Sequence, residues 1–122
     1  MSKVLLVEDN ETSNFLAKIM LRKAGILKVD EALNGKEAYA LIEKYCPDFI
    51  FLDLNMPVMD GWEFLDEREA KELCNGVKVA ILTSSSRPED RKKAEKYSCV
   101  IAYFEKPLTM ENIEFIKQKL QV

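Results

Sequence analysis

No histidine occurs among the 122 residues, cysteine occurs three times, and no apolar run approaches the length of a membrane span. A transmembrane helix needs about 20 consecutive apolar residues, so the sequence predicts no membrane segment. The three cysteines show no C-x-x-C spacing, and in the absence of histidine they predict no zinc site. We therefore interpret Cys46, Cys74 and Cys99 as reduced thiols and expect a cytoplasmic protein.

Basic clusters, low-complexity segments and internal repeats are also missing. Lys and Arg number 18 against 21 Asp and Glu, and this net charge of −3 argues against direct nucleic-acid binding. In the opening stretch MSKVLLVEDNE, acidic residues follow the apolar run at once, which indicates a strand rather than a signal peptide. The length and the 48% hydrophobic composition predict one compact domain over residues 1–122.

Five apolar runs alternate with helical patterns along the chain. The runs occupy residues 4–7, 27–29, 49–52, 79–82 and 100–104. Four of them are continuously apolar, which is typical of parallel strands covered on both faces, whereas Lys28 interrupts the second and suggests an edge strand. The alternation predicts a (βα)5 doubly wound α/β fold, with a five-stranded parallel sheet in the flavodoxin-like order 2-1-3-4-5.

The helical segments differ in how firmly they can be anchored. In the first, a helical stripe of apolar residues is expected to face the core: Phe15, Leu16, Ile19 and Met20. Around residues 88–97 only Ala94 and Tyr97 are core candidates, so the fourth helix is predicted to be loosely held. Thr109 is the expected N-cap of the last helix.

Polar side chains follow the predicted strands at one edge of the sheet. Glu8 and Asp9 follow the first strand, and Asp53 follows the third. Because carboxyl ends of parallel strands share an edge, and strand order reverses between strands 1 and 3, these carboxylates are expected to converge. Three neighbouring anions repel one another, and a hard divalent cation, Mg2+ or Mn2+, would resolve that repulsion.

Two further polar residues at this edge can hold an anion. Thr83 ends the fourth strand and Lys106 follows the fifth. A phosphoryl group is the anion that a metal and a lysine would hold together while a nucleophile attacks in line. Asp53 stands alone at the end of the central strand, so it is the candidate nucleophile, and an aspartyl phosphate is the expected product.

At these residues the chain resembles the receiver domain of two-component response regulators, the CheY-like family. The resemblance runs the full length and is carried by the Glu8-Asp9 pair, the block DLNMPVMDG, the sequence LTS after the fourth strand, and Tyr103 three residues before Lys106. It implies that Asp53 accepts a phosphoryl group from a sensor histidine kinase or a histidine phosphotransfer protein.

The resemblance also implies how the metal is held. Asp9 and Asp53 would bind Mg2+ directly, Asn55 would supply its backbone carbonyl, and Glu8 would act mostly through water. Each of these positions matches the family pattern, although Glu8 stands where the family often has aspartate.

The remaining implied roles concern the phosphoryl group and the response to it. Lys106, the Thr83 hydroxyl and the Ser84 backbone N–H would contact the phosphoryl group, and the Lys106-Pro107 peptide would be cis. Thr83 and Tyr103 would form a switch pair in which Tyr103 turns inward as Thr83 moves towards the phosphoryl group.

We therefore predict a stand-alone receiver with no output domain, which catalyses only its own phosphorylation and slow dephosphorylation and is otherwise not an enzyme. Phosphorylation would switch the face formed by the fourth helix, fifth strand and fifth helix, for a downstream protein or for onward relay. The protein would be a monomer or a phosphorylation-dependent dimer.

Three alternatives stay open. The chain could be the receiver part of a larger regulator or hybrid kinase. It could be a metal-dependent phosphatase with an aspartate nucleophile, although the haloacid-dehalogenase-like pattern needs a second aspartate where this chain has Asn55. It could also be a receiver that binds partners without phosphorylation. At the level of single residues, Tyr103 could simply pack and Lys106 could be solvated, while Pro57 and Gly61 are interpreted as turn residues.

Overall fold

Strands and helices alternate five times along residues 3–120, the part of the chain that the computed structural model describes. The strands are β1 (Lys3–Val7), β2 (Lys28–Ala32), β3 (Phe49–Leu52), β4 (Lys78–Thr83) and β5 (Val100–Glu105). The helices are α1 (Glu11–Lys23), α2 (Gly35–Lys44), α3 (Gly61–Ala70), α4 (Pro88–Ala94) and α5 (Met110–Leu120). The first two and last two residues of the predicted domain lie outside the described residues. None of the described helices has both the length and the apolar character that crossing a membrane would require.

All five strands are parallel and lie in the order β2-β1-β3-β4-β5, which confirms the predicted topology. β1 pairs with both β2 and β3, with Val7 opposite Leu52 near their carboxyl ends. The connections from these two ends run to opposite sides of the sheet, so a crevice opens between them.

The sheet has a buried cluster on each face, which explains the continuously apolar runs. One cluster joins strand residues such as Leu5, Ile50 and Ile81 to side chains of α2, α3 and α4. The other joins Leu6, Phe51 and neighbouring strand residues to side chains of α1 and α5. Both clusters meet on β3, whose four residues are at most 1% exposed. β3 is therefore the rigid centre on which the carboxyl edge is built.

The edge position of β2 is confirmed, but its predicted bounds of 27–29 are wrong. The strand begins one residue later and continues through Asp30 and Glu31 to Ala32. Those acids are tolerated because the edge is open to solvent. Glu31 pairs with Lys18 at 3.0 Å, and Asp30 accepts a hydrogen bond from the Tyr45 hydroxyl.

The predicted buried stripe of α1 is also wrong. The side chains that face solvent are Phe15, Leu16 and Ile19, and Met20 is half-buried. The buried residues of the helix are Asn14, Ala17 and Leu21. Asn14 sets this rotation because its amide Nδ2 donates to the Glu8 carbonyl across 3.0 Å, which draws a polar side chain into the interface. The more hydrophobic residues are left outside.

The fifth helix matches its predicted cap, whereas the fourth matches its prediction in part, because it ends at Ala94 and not near residue 97. α4 has seven residues and one buried side chain, Ala94, in agreement with the prediction of a weakly anchored helix. Tyr97 lies beyond its end and stacks on Trp62 with ring centroids 5.8 Å apart. At α5, Thr109 caps as predicted, since its Oγ1 accepts from the Asn112 N–H and the Asn112 side chain accepts from the Thr109 N–H, each at 3.1 Å.

The prediction of three reduced thiols is wrong for two of them. Cys46 and Cys74 form a disulfide with their Cα atoms 5.5 Å apart, while Cys99 is free. The two cysteines are 28 residues apart, so their spacing alone does not indicate the pairing. Cys46 precedes β3 and Cys74 precedes β4, and these strands are parallel neighbours. The approaches to both strands therefore meet at the amino edge of the sheet.

Candidate functional site

Three carboxylates meet at the carboxyl ends of β1 and β3. Glu8 and Asp9 directly follow β1, Asp53 directly follows β3, and one oxygen from each lies within 4.8 Å of the others. Glu8 and Asp53 are 6% and 5% exposed, whereas Asp9 is exposed. The cluster thus has two buried carboxylates and one that is open to solvent, and a cation beside it would offset the repulsion between these anions.

Lys106 supplies one positive charge to this cluster. Its Nζ lies 3.1 Å from Oδ2 of Asp53 and in direct contact with Oε1 of Glu8. The backbone of Lys106 is held beside Thr83, because its N–H donates to the Thr83 carbonyl at 2.8 Å. The peptide to Pro107 is cis, as predicted. Burial of the ammonium lowers the pKa of Lys106 below its ordinary value.

The Asp53 carboxyl is in an environment that disfavours its charge. Burial raises the pKa of Asp53, and the nearby Asp9 carboxylate adds to the rise. Hydrogen bonds from the Thr83 hydroxyl and from the N–H groups of Leu54 and Asn55 oppose it, with the Leu54 N–H only 2.7 Å from Oδ1. The hydrogen bonds therefore orient the carboxylate, but they do not fully offset the cost of burying its negative charge.

The turn after Asp53 brings α3 directly against the end of β3. Gly61 begins the helix, and its N–H donates to the Leu54 carbonyl at 3.0 Å. A Cβ at Gly61 would lie 2.4 Å from the Asp53 carbonyl oxygen, closer than real Cβ contacts come. Asp60 and Glu63 complete a reciprocal capping box at this helix start. Gly61 is thus required by the close approach of the two backbones.

Thr83 and Tyr103 are connected through a single intervening residue, Ser85. The buried Thr83 Oγ1 accepts from the Ser85 N–H at 3.3 Å, and the Tyr103 hydroxyl donates to the Ser85 carbonyl at 3.0 Å. The Arg91 guanidinium lies 4.5 Å from the centroid of the Tyr103 ring and pairs with Glu105 at 3.3 Å. A movement at Thr83 therefore has a short physical route to the surface.

The structure brings five of the predicted site residues into one cluster: Glu8, Asp9, Asp53, Thr83 and Lys106. Asn55 and Ser84 are exposed next to Asp53 and Thr83, and Tyr103 lies at the margin. The sequence reasoning missed Asn14, whose amide fixes the Glu8 backbone. A polar residue at a helical position beside an acidic pair was the available signal.

The fold and the site together define a class of protein, a doubly wound α/β signalling module with an acidic crevice at the switch point of its sheet. The chain belongs to the response regulator receiver domain family, whose model matches residues 4–116. Receiver domains of this family act in two-component signalling, and they bind Mg2+ in an acidic pocket.

Among relatives, the chain is similar to the chemotaxis protein CheY of Halobacterium salinarum, at 36% identity over 115 residues that cover 91% of this chain and 92% of that protein. It is also similar to the probable transcriptional regulator ycf29 of Porphyra purpurea, at 32% identity over 93% of this chain. The match covers only 54% of that second protein.

Solved structures agree with this assignment. A two-component response regulator from Cytophaga hutchinsonii superposes with a TM-score of 0.90 at 28% identity, covering 99% of this chain and 97% of that one. The receiver domain of the sensor histidine kinase PA1611 from Pseudomonas aeruginosa gives a TM-score of 0.83 at 29% identity, covering 97% and 95%, and holds a magnesium ion in its active-site cleft.

The residues of this chain fit such an ion. The donor set consists of carboxylate oxygens within 4.8 Å of one another, which suits a hard divalent cation and not a soft one. Lys106 now contacts two of the three carboxylates, so a metal at this position would compete with its ammonium.

Proposed function

We propose that this chain is a phosphorylation-controlled switch in which Asp53 accepts a phosphoryl group. The observation that carries the proposal is the placement of the Asp53 carboxylate, in a residue that is 5% exposed, beside two other carboxylates and 3.1 Å from the Lys106 ammonium. This arrangement lets a nucleophilic oxygen approach a phosphorus atom while fixed cations offset the charge on the phosphoryl oxygens. The donor is a phosphohistidine of a sensor histidine kinase or of a histidine phosphotransfer protein.

The metal is Mg2+, with Mn2+ able to replace it, held by Asp9, Asp53, the Asn55 carbonyl and, through water, Glu8. When bound, it neutralises negative charge on the carboxylates and on the incoming phosphoryl group. Support for Asp9 as a direct ligand comes from its exposure on the open side of the cluster. Glu8 is buried, and its Oε2 already accepts a hydrogen bond from the Asn10 N–H at 3.0 Å, which supports a contact with the metal through water.

After transfer, three groups hold the phosphoryl oxygens: the Lys106 ammonium, the Thr83 hydroxyl and the Ser84 N–H. Lys106 must leave Glu8 to do so, and its contact with Asp53 already places it beside the phosphorylated carboxylate. Thr83 must redirect to the phosphoryl group the hydroxyl hydrogen bond that it now donates to Asp53. A shift of Thr83 in that direction would strain the contact between its Oγ1 and the Ser85 N–H. Because the Ser85 carbonyl holds the Tyr103 hydroxyl, movement of Ser85 would release Tyr103 to turn inward.

The face that changes is formed by α4, β5 and α5. α4 buries only Ala94 and has no side-chain cap, so little apolar contact opposes its displacement. This face would bind a downstream protein or support onward relay, with the protein as a monomer or as a phosphorylation-dependent dimer. The chain catalyses only its own phosphorylation and slow dephosphorylation.

We also propose that residues 1–122 act as a single receiver unit in the cytoplasm. Support comes from the relative CheY, of which the match covers 92%. The match to ycf29 covers little more than half of that protein, which keeps a receiver within a larger regulator as the alternative.

The decisive experiment is to incubate the protein with Mg2+ and acetyl phosphate and measure its intact mass. A single phosphoryl adduct, stable in acid and labile in base, is expected for the wild type and absent from Asp53→Asn. Asp60→Asn is the matched control, since it changes the same residue type in the same segment and still caps α3. It should form the adduct normally.

Two outcomes would overturn the proposal. A wild type that forms no adduct and binds no beryllofluoride in the presence of Mg2+ would leave Asp53 without a phosphoryl role. Steady turnover of many phosphomonoesters would instead identify a phosphatase, since a receiver consumes its donor only as fast as its own adduct decays.

A further inference from the structure

The Cys46–Cys74 disulfide lies at the amino edge of the sheet, opposite the acidic cluster. Cys46 follows α2 and is exposed, while Cys74 lies in the turn after α3 and is half-buried. One sulfur of the pair therefore belongs to a residue that a small solute can reach. A thiol or thiolate from solution can attack an accessible disulfide without unfolding of the protein.

The Cys74 backbone is held in place independently of the disulfide. Arg68 is 5% exposed, and its Nη2 donates to the carbonyls of Cys74 and Val77 at 2.8 and 2.6 Å, while its Nε donates to the Leu73 carbonyl at 3.1 Å. These are charge-assisted hydrogen bonds in a buried setting. The turn therefore presents Cys74 towards α2 whether or not the sulfurs are bonded.

Noncovalent contacts also hold the residues around Cys46. The preceding Tyr45 donates its hydroxyl to Asp30, and the Lys3 ammonium lies 4.2 Å from the centre of the Tyr45 ring. Two residues after Cys46, Asp48 exchanges hydrogen bonds with the Lys3 backbone in both directions, each at 2.8 Å. With both backbones fixed and their Cα atoms 5.5 Å apart, the two thiols would react as an intramolecular pair at high effective concentration.

Cys99 is a poor competitor for either partner. It is half-buried at the approach to β5, and that burial raises the pKa of its thiol above the ordinary value. The thiolate is the reacting form of cysteine, so a raised pKa leaves less of it at neutral pH. The pairing of Cys46 with Cys74 is thus favoured by position and by chemistry.

We propose that Cys46 and Cys74 form a reversible thiol–disulfide modification site, which gives this domain a second input separate from Asp53.

The oxidant is a low-molecular-weight disulfide. The Cys46 thiolate attacks one of its sulfurs and releases one thiolate; the Cys74 thiolate then attacks the Cys46 sulfur and releases the second. Two electrons pass to the oxidant, and the two protons of the cysteine thiols pass to solution and the released thiolates. A dithiol reverses both steps. In reducing compartments disulfides are usually transient and redox-sensing, which fits a pair in which Cys46 is exposed.

The modification would act on the turn between α3 and β4, residues 71–77. Glu72 and Cys74 adopt positive φ angles of 53° and 52°, in the left-handed region that non-glycine residues seldom occupy. The disulfide ties this turn to the end of α2. Reduction removes this link and leaves the Arg68 contacts and the backbone hydrogen bonds of the turn, so the reduced turn is expected to open more often.

The test begins with native protein equilibrated in oxidised and reduced glutathione mixtures, alkylated, and analysed by intact mass and peptide mapping. In oxidised glutathione we expect loss of two hydrogens, mapped to Cys46 and Cys74, with Cys99 as the only alkylated residue. A dithiol should restore three alkylated cysteines without denaturant. Amide exchange in residues 71–77 should accelerate at least about tenfold on reduction, while amides beside Asp53 stay unchanged.

Three variants make the result specific. Cys99→Ser should retain both the loss of two hydrogens and the change in amide exchange. Cys46→Ser and Cys74→Ser should lose both, and because each replaces a half-buried or exposed thiol by a small hydroxyl, either one suffices if the other folds poorly. Phosphorylation of Asp53 should proceed in the oxidised and reduced forms alike, so failure of this proposal leaves the proposed function intact.

Specific outcomes would overturn the redox site. Three alkylated cysteines after oxidised glutathione would mean that the bond does not form. A disulfide involving Cys99 would mean that the wrong pair was identified. A bond that a dithiol reduces only in denaturant would be a permanent structural link and not a modification site.

Discussion

Replacement of Gly61 by alanine tests whether the position of Asp53 depends on the close approach of α3. The added Cβ would lie 2.4 Å from the Asp53 carbonyl oxygen, 3.0 Å from the Leu54 Cα and 3.2 Å from the Asp53 carbonyl carbon. All three are backbone atoms, so no side chain can move aside. Restoring 3.0–3.4 Å to the oxygen requires a displacement of about 0.6–1.0 Å, obtained by subtracting 2.4 Å from each limit.

That displacement has two costs of different kinds. Overpacking costs about 1–3 kcal/mol of unfolding free energy, from which a better helix former recovers up to about 1 kcal/mol. A shift near 1 Å in a reacting group can reduce the rate by about 10²-fold. Gly61→Ala should therefore lower the rate of adduct formation with acetyl phosphate by much more than its loss of stability could explain, since most molecules remain folded.

The assay measures the urea unfolding free energy, the phosphorylation rate and the Mg2+ affinity. The fluorescence of Trp62, the only tryptophan in the chain, monitors Mg2+ binding. Gly76→Ala is the control, because Gly76 has φ +94° and open space around it, so alanine there strains the backbone far from Asp53. Equal phosphorylation rates in Gly61→Ala and wild type would refute the reasoning. Equal slowing in both glycine variants would also do so, since stability alone would then account for it.

Two further changes probe the cluster and the helix that follows it. Lys106→Met should bind Mg2+ at least as tightly as wild type by calorimetric titration, because the ammonium that competes for Glu8 and Asp53 is gone. It should form the adduct about 10²-fold more slowly for want of the charge, and weaker Mg2+ binding would contradict the competition. Asp60→Ala should lower the urea unfolding free energy by about 1 kcal/mol through loss of the capping box, whereas Asp60→Asn should not. An alanine variant as stable as wild type would show that the cap contributes nothing here.

The sequence was informative where burial is simple. β3 was predicted at 49–52 and lies at Phe49–Leu52, because a short, continuously apolar run is typical of a strand covered on both faces. β2 was misjudged because Asp30 and Glu31 look like loop residues until the open edge gives them Tyr45 and Lys18 as partners. The sequence indicated that this strand lies at the edge of the sheet, but it did not indicate where the strand ends.

The face of α1 shows a different limit. Hydrophobic periodicity favours the most apolar stripe, but the helix buries Asn14 and Ala17 and exposes Phe15, at 65% exposure. A small residue lets the helix approach the sheet closely, and the Asn14 amide satisfies a backbone carbonyl that would otherwise be unpaired. Close approach and hydrogen bonding together determined the rotation, and neither is visible in a hydropathy pattern.

Within the candidate site, the residues at strand ends could be predicted from the sequence. Residues whose role depends on contacts between distant segments of the chain could not. Glu8, Asp53 and Lys106 each follow a strand whose end the apolar run already indicates. Gly61 was interpreted as a turn residue, since its contact with the Asp53 carbonyl depends on where α3 enters. The disulfide had a usable signal: Cys46 and Cys74 stand at nearly equal distances before two strands that the predicted order makes neighbours.

The Arg91 guanidinium rests on the Tyr103 ring and pairs with Glu105, so three side chains share one arrangement on the outer side of β5. If the ring turns inward, the guanidinium loses the surface beneath it and can swing away from the carboxylate. A binding partner would then encounter a different distribution of positive and negative charge on α4 and β5. Part of the discrimination between the two forms would therefore be electrostatic, and that part would weaken as added salt screens those charges.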